Sequence, residues 1–185
     1  MQEASLSTFW YYFPAEPENI PKKELLEKNL NKPLSQVPDP FGKFNSFGEH
    51  NNEMLKKFLN NFNFSYKFKS STDLYKSGFF NPTLQIILEN YDCIMNIILP
   101  TLGKERQKTY SPFLPICPET GRVLEIPVQE INKEKSEIIF DNNGKKLEMS
   151  ILDGHCKLQW KVDWAMRWYV FDVDYEMYGK DLIES

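Results

Sequence analysis

The sequence is poor in the features that mark several large functional classes. It holds three cysteines, Cys93, Cys117 and Cys156, widely spaced and odd in number. That is no disulfide framework, and a reducing cytosol is the simpler setting. Histidine is scarcer still, with only His50 and His155. A cysteine nucleophile needs a base beside it, and neither histidine is tied to a cysteine by a local pattern. His155 adjoins Cys156, but neighbours on a strand point to opposite faces. The eight glycines form neither a Gly-x-x-x-x-Gly-Lys-Ser/Thr nor a Gly-x-Gly-x-x-Gly loop, so a complete phosphate cradle is missing. No apolar run approaches the ~18 residues of a membrane helix, and no basic segment followed by an apolar one opens the chain, so neither a membrane span nor a signal peptide is expected. Positive charge is also short: 22 Lys and Arg stand against 26 Asp and Glu, a net charge of -4. Bulk charge therefore does not draw this chain to nucleic acid, and any such contact needs a local patch.

What is present fits a globular protein of about one domain. Of 185 residues, 41% are apolar, 26% charged and 15% aromatic, enough for a core rich in large rings. Phe9 to Phe13 is an unbroken aromatic cluster closed by Pro14, with no period of two. Pro21 to Leu30 reads as a short helix, and the prolines and glycine of 37–42 as a loop. Asn51 is the expected N-cap of a helix carrying Met54, Leu55, Phe58, Leu59 and Phe62 on one face. Phe64 to Lys69 alternates like a half-buried strand. Asn81-Pro82 opens the strongest helix, running through Leu84, Leu88, Tyr91 and Ile98 to a stop at Pro100.

From Tyr110 the period changes to two. Strands are expected at Phe113 to Ile116, Arg122 to Gln129, Ser136 to Phe140 and Lys145 to Ile151, with hairpin signals at Asn143-Gly144 and Asp153-Gly154. A helix with Trp164, Met166 and Trp168 follows. A strand from Val170 to Met177 would then deliver Gly179-Lys180-Asp181 to its carboxyl end, where ligand-binding residues of α/β proteins gather.

Two segments carry candidate chemistry. Cys117-Pro118-Glu119-Thr120-Gly121 has the outline of a zinc knuckle, but Thr120 stands where a second cysteine belongs, so no metal is expected. Between Lys157 and Trp168, three of the four tryptophans fall within nine residues. Trp164 and Trp168 share a helical face. Asp163 is suited to a helix cap or a cationic group, Arg167 to an anionic one, and the indole faces to an ammonium group. Plain aromatic core packing is the competing reading. Lys67, Lys69, Lys104, Arg106 and Lys108 form a candidate basic patch, although ordinary solvated surface fits the net charge better.

The segment Leu158-Gln159-Trp160-Lys161-Val162-Asp163-Trp164-Ala165-Met166-Arg167-Trp168, followed by Tyr178-Gly179-Lys180-Asp181, resembles the class I lysyl-tRNA synthetases. Val37-Pro38-Asp39-Pro40-Phe41-Gly42, Ser46 to Asn52, Leu99 to Leu102 and Tyr110 to Ile116 match in order, so the resemblance spans about Pro17 to Ser185. It implies an α/β protein: an α+β insertion of helices and antiparallel strands at 37–160, flanked by incomplete Rossmann-type nucleotide-binding segments at 1–36 and 161–185. It implies ATP-dependent lysyl-adenylate formation and transfer of lysine to its tRNA in the cytoplasm. Trp160, with Asp163 and Arg167, would bind lysine, and Gly179, Lys180 and Asp181 would bind ATP.

The chain also departs from the family pattern. Leu182 replaces a histidine common in relatives. Met1 to about Pro14 does not match, and a shifted reading frame is one explanation. The HIGH-type and KMSKS-type motifs and the anticodon-binding domain are not within these residues. The resemblance therefore implies a fragment, expected to be inactive alone unless a second chain completes it. The alternatives are a non-catalytic module that binds the tRNA acceptor stem or lysine, and an inactive remnant of a split gene.

Overall fold

The computed structural model describes residues 21–142 and 144–176. The aromatic cluster at Phe9 to Phe13, Asn143, and the Gly179-Lys180-Asp181 motif lie outside the described residues. The described part mixes helices with antiparallel strands, as expected. Helix α1 (Lys23–Lys28) lays Leu26 into a small core with Val37 and Phe47. Between them the chain is held by a buried carboxylate. Asp39 accepts hydrogen bonds from the backbone N–H groups of Phe41 (3.0 Å), Lys43 (2.8 Å) and Phe44 (3.0 Å), and its Oδ2 lies 3.1 Å from His50 Nδ1. The His50 ring in turn stacks on Phe41 at 4.5 Å. Proline and glycine leave this loop without a ladder of its own, so the carboxylate supplies the acceptors instead.

Helix α2 (Phe47–Asn61) starts four residues before the expected cap at Asn51. Ser46 caps it, accepting from Glu49 N at 3.1 Å, while Glu49 Oε2 accepts from Asn45 N, a variant of the capping box. Asn63 ends the helix in the left-handed region (φ 56) with Phe64 N donating to Leu59 O, a Schellman closure. The expected strand at Phe64 to Lys69 does not form. That segment folds back on α2: Tyr66 Oη donates to Asn60 Oδ1, and Lys56 Nζ lies 4.3 Å from the Phe68 ring centre. Tyr66 and Phe68 lie against the helix, and no strand among the described residues pairs with this segment.

Helix α3 (Ser71–Lys76), not foreseen, is capped by Ser70 and buries Tyr75. The single long helix expected from Asn81 is two helices, α4 (Asn81–Glu89) and α5 (Tyr91–Ile98). The break is at Asn90 (φ -98, ψ 20), whose side chain donates to Ile86 O at 2.8 Å and competes with the backbone for that acceptor. Asn81 itself does not cap α4. Its amide exchanges two hydrogen bonds with Asp153 (2.8 and 3.1 Å), pinning α4 to the turn at 153–154. Gly78 (φ +75) must be glycine here, because an added Cβ would stand 2.9 Å from Asn81 Nδ2. A 3-10 turn at Leu99–Thr101 contains Pro100, and the short, unforeseen α6 (Lys104–Thr109) follows.

The strands divide into two sheets. β1 (Phe113–Pro115) pairs antiparallel with β5 (Cys156–Leu158). β2 (Val128–Asn132), β3 (Glu137–Asn142) and β4 (Lys145–Ser150) form a separate antiparallel meander. The strand expected at Arg122 to Gln129 starts only at Val128; before it there is a single bridge, Val123 to Ile116. Asp153-Gly154 does make a turn, with both residues at positive φ, but it joins β4 to β5 in different sheets rather than closing a hairpin. Ile138 and Phe140 on β3 are fully buried at period two against Phe80, Leu84 and Leu88. Truncating one such ring costs about 3–5 kcal/mol.

Helix α7 (Trp160–Phe171) closes the described chain and sends Val162 and Met166 into this main core. The strand expected from Val170 is instead the end of α7. Asp172 turns left-handed (φ 51) and Val173 N returns to Trp168 O, so the helix closes in a second Schellman turn.

Burial pushes the Asp39 carboxyl upward, but Phe41 N, Lys43 N, the His50 ring and Phe44 N outweigh it and hold its pKa at about 2. Against about 3.9 in an unfolded chain, this stabilisation is full above pH ~4 and is lost as pH falls towards 2. Asp39→Asn is expected to be less stable than the parent at neutral pH, with the gap closing across that window. Urea midpoints measured against pH check this, and a gap independent of pH would remove Asp39 as the titrating group.

Candidate functional site

Helix α7 places residues of different chemistry on different sides. Trp160, Trp164 and Trp168 recur every four residues and form a ladder of rings, with centroids 5.2 Å apart for the first pair and 4.8 Å for the second. Glu176, beyond the helix, clasps this ladder. One oxygen, Oε2, accepts from Trp164 Nε1 at 2.6 Å and also from Trp168 Nε1. Trp160 and Trp164 are half-buried, and Trp168 is exposed.

Asp163 and Arg167, one turn apart, are buried together. Arg167 Nε donates to Asp163 Oδ2 at 2.6 Å, and Tyr75 Oη donates to Asp163 Oδ1 at 2.5 Å. Tyr75 Oη also accepts from Leu158 N at 3.3 Å. Burial, reinforced by the Asp163 charge, pushes the Tyr75 phenol well above its ordinary range, so it remains a donor. The Arg167 guanidinium lies over the Phe80 ring, 5.5 Å from its centre. Its Nη2 is buried and has no hydrogen-bond partner among the described residues. An unsatisfied cationic donor is costly in a core.

Lys157, on β5, is buried close to this pair. Burial lowers its pKa to about 8, Asp163 opposes that shift, Arg167 adds to it and Glu125 opposes it. On its other side α7 lines an apolar groove of about 310 Å³ with α4 and α5, where Ile87, Ile94, Ile98 and Met166 meet.

The structure thus brings Trp160, Asp163 and Arg167 onto one helix, with the latter two bonded to each other. It adds Tyr75, 88 residues from Asp163 along the chain, together with Lys157 and Glu176. Nothing in the sequence around Tyr75 marked it, because its role comes from docking α3 against α7. Of the basic residues, Lys67 and Lys69 lie in the segment folded on α2. Lys104, Arg106 and Lys108 belong to α6, where Lys108 pairs with Glu105. At the knuckle-like turn, Gly121 N donates to Cys117 O. The Thr120 hydroxyl, then backbone N–H groups, stabilise the Cys117 thiolate and lower its pKa. Among the described residues, no three His, Cys, Asp or Glu side chains come together to hold a metal, and no helix is long and apolar enough to cross a membrane.

Tyr75→Phe leaves Asp163 Oδ1 and Leu158 N without their shared partner. It is expected to cost about 1–3 kcal/mol in denaturant unfolding. A cost near zero would mean that the bond does not hold α3 to α7.

Residues 13–185 match the family described as tRNA synthetases class I (K). The lysine–tRNA ligase of Rickettsia bellii (strain OSU 85-389) is 49% identical over 166 residues, which are 89% of this chain and 32% of that protein. The lysine–tRNA ligases of Rickettsia felis and Rickettsia africae are 48% and 47% identical over the same lengths. The chain spans 32% of the length of these curated relatives. With matches this long, and with α7 carrying the tryptophan-rich segment on which the resemblance turned, the chain belongs to the class I tRNA synthetase (K) family.

Proposed function

We propose that this chain is the lysine-recognising part of a lysine–tRNA ligase, which joins lysine to its tRNA through a lysyl-adenylate made from ATP. The observation that carries the reading is the α7 site. A half-buried Trp160 indole stands at the first turn of the helix, backed by the buried Asp163–Arg167 pair, in a chain whose relatives are named for this reaction. Trp160 offers an aromatic face to the lysine ammonium, an attraction of about 0.5–2 kcal/mol that grows as water is excluded. Asp163 holds Arg167, and Arg167 keeps Nη2 for an anionic group of the ligand. Tyr75 fixes the pair from α3.

Residues 37–160 act as an insertion between two nucleotide-binding segments, 1–36 and 161–185. Gly179, Lys180 and Asp181 contribute the chain's contact with ATP, the aspartate suiting the ribose hydroxyls. The sequence lacks a glycine-rich phosphate loop, so these residues alone do not form lysyl-adenylate. The remaining length of the relatives, on the same polypeptide or on a second chain, supplies the phosphate grip and the anticodon contacts. The assembled enzyme works in the cytoplasm.

A chimera tests this. Residues 20–185 replace the corresponding third of the Rickettsia bellii ligase, and lysine-dependent ATP–pyrophosphate exchange is measured. The chimera is expected to be active, and Trp160→Ala within it to raise the lysine KM about 10-fold. A chimera that folds yet shows no exchange overturns the reading.

A further inference from the structure

The chain that leaves α7 has little apolar burial to fix its direction. After the Schellman turn, Asp174 and Tyr175 are exposed, Tyr175 to 79%, and Val173 is only half-buried. Glu176 ties this segment back. Its Oε2 accepts the indole N–H of Trp164 at 2.6 Å and that of Trp168 as well. An indole nitrogen only donates and an ionised carboxylate only accepts, so two donors one helical turn apart converge on one charged oxygen. Hydrogen bonds to an ionised acceptor are about twice as strong as neutral ones.

This clasp acts in two directions. Towards α7 it holds the Trp164 ring by its Nε1. Trp160 stacks on that ring with centroids 5.2 Å apart and planes 24° from parallel, so any rotation of Trp164 moves the surface on which Trp160 lies. Towards the carboxyl end, Gly179 follows Glu176 by three residues, and three residues of chain span at most about 11 Å. The residues proposed to contact ATP are therefore tethered close to the ring ladder proposed to contact lysine. Adenylate formation requires those two ligands to meet, and one side chain is tied to both of their sites.

We propose that Glu176 is a positioning residue that couples the two ligands. It orients Trp160 through Trp164 and anchors the segment leading to Gly179-Lys180-Asp181, so that lysine and ATP strengthen each other's binding. The inference rests on the lysine and ATP contacts of the proposed function and adds the residue that links them.

The full chain gives the first readout. In its heteronuclear NMR spectrum the indole N–H resonances of Trp164 and Trp168, deshielded by the shared carboxylate, are expected downfield and to move upfield in Glu176→Ala. Unmoved resonances overturn the clasp. The chimera gives the second readout, as lysine dissociation constants measured by equilibrium dialysis with and without a non-hydrolysable ATP analogue. With Glu176 in place, the analogue is expected to tighten lysine binding about 5-fold or more, and in Glu176→Ala this factor is expected to fall to about 1. Glu176→Gln keeps a carbonyl oxygen at the same reach and is expected to restore most of the coupling. Glu176→Asp, one methylene shorter, is expected not to. A merely structural Glu176 would lower the Tm of the alanine variant and leave the factor as it was, which overturns the proposal, as does a parent chimera with no coupling to lose. A folded parent without lysine-dependent exchange overturns the lysine reading and this inference with it. An active parent whose Glu176→Ala variant keeps the coupling overturns this inference alone.

Discussion

The hydrogen bond from Tyr75 to Asp163 holds the described part of this protein in its working arrangement. It joins α3 to α7 across the main core, and the same phenol oxygen takes the N–H of Leu158 at the end of β5. Three elements therefore meet at one buried oxygen. Asp163 is occupied on both sides, by Tyr75 and by Arg167, so its charge is compensated where water cannot reach it. Removing the charged partner of such a buried carboxylate is among the costlier defects a fold can carry, about 3–5 kcal/mol. α7 is fixed in rotation by this requirement as much as by the apolar contacts of Val162 and Met166.

That rotation decides what the rest of α7 presents. Turning Asp163 and Arg167 inward places the Trp160–Trp164–Trp168 ladder to one side and the apolar groove against α4 and α5 to the other. The indole N–H groups of Trp164 and Trp168 are spent on Glu176. Trp160, half-buried, stacks on Trp164 at 5.2 Å. The buried pair and the Trp160 ring are linked through the period of one helix, which connects the packing of the core to the proposed lysine contact.

Much of the fold was legible where local chemistry is self-sufficient. Period-two burial marked β3, the proline-glycine loop at 37–42 was unambiguous, and the helix after Gln159 showed its aromatic spacing. Misreadings came where a side chain's partner lay elsewhere. Asn90 divides the long apolar helix because its amide takes the Ile86 carbonyl. Asn81, which looks like a cap, is bound to Asp153 instead. The alternation of Phe64 to Lys69 is real, but a strand needs a neighbour with free backbone groups and α2 offers none. Ser46 and Glu49 did spell a capping box.

The sequence by itself determined the family resemblance and the aromatic and charged character of the segment from Lys157 to Trp168. These are properties of composition and spacing along the chain, and a helix of 3.6 residues per turn converts them into faces without further help. Only the tertiary structure decided that Asp163 and Arg167 are buried, that Tyr75 and Lys157 stand with them, that Arg167 Nη2 has no partner among the described residues, and that the 64–69 segment folds back on α2. Each of these depends on contacts between residues far apart in sequence, made by the packing of α3, β5 and α7 and by the chain reversal after Asn63. Local preference carries no information about such contacts, because their energy appears only when the elements dock.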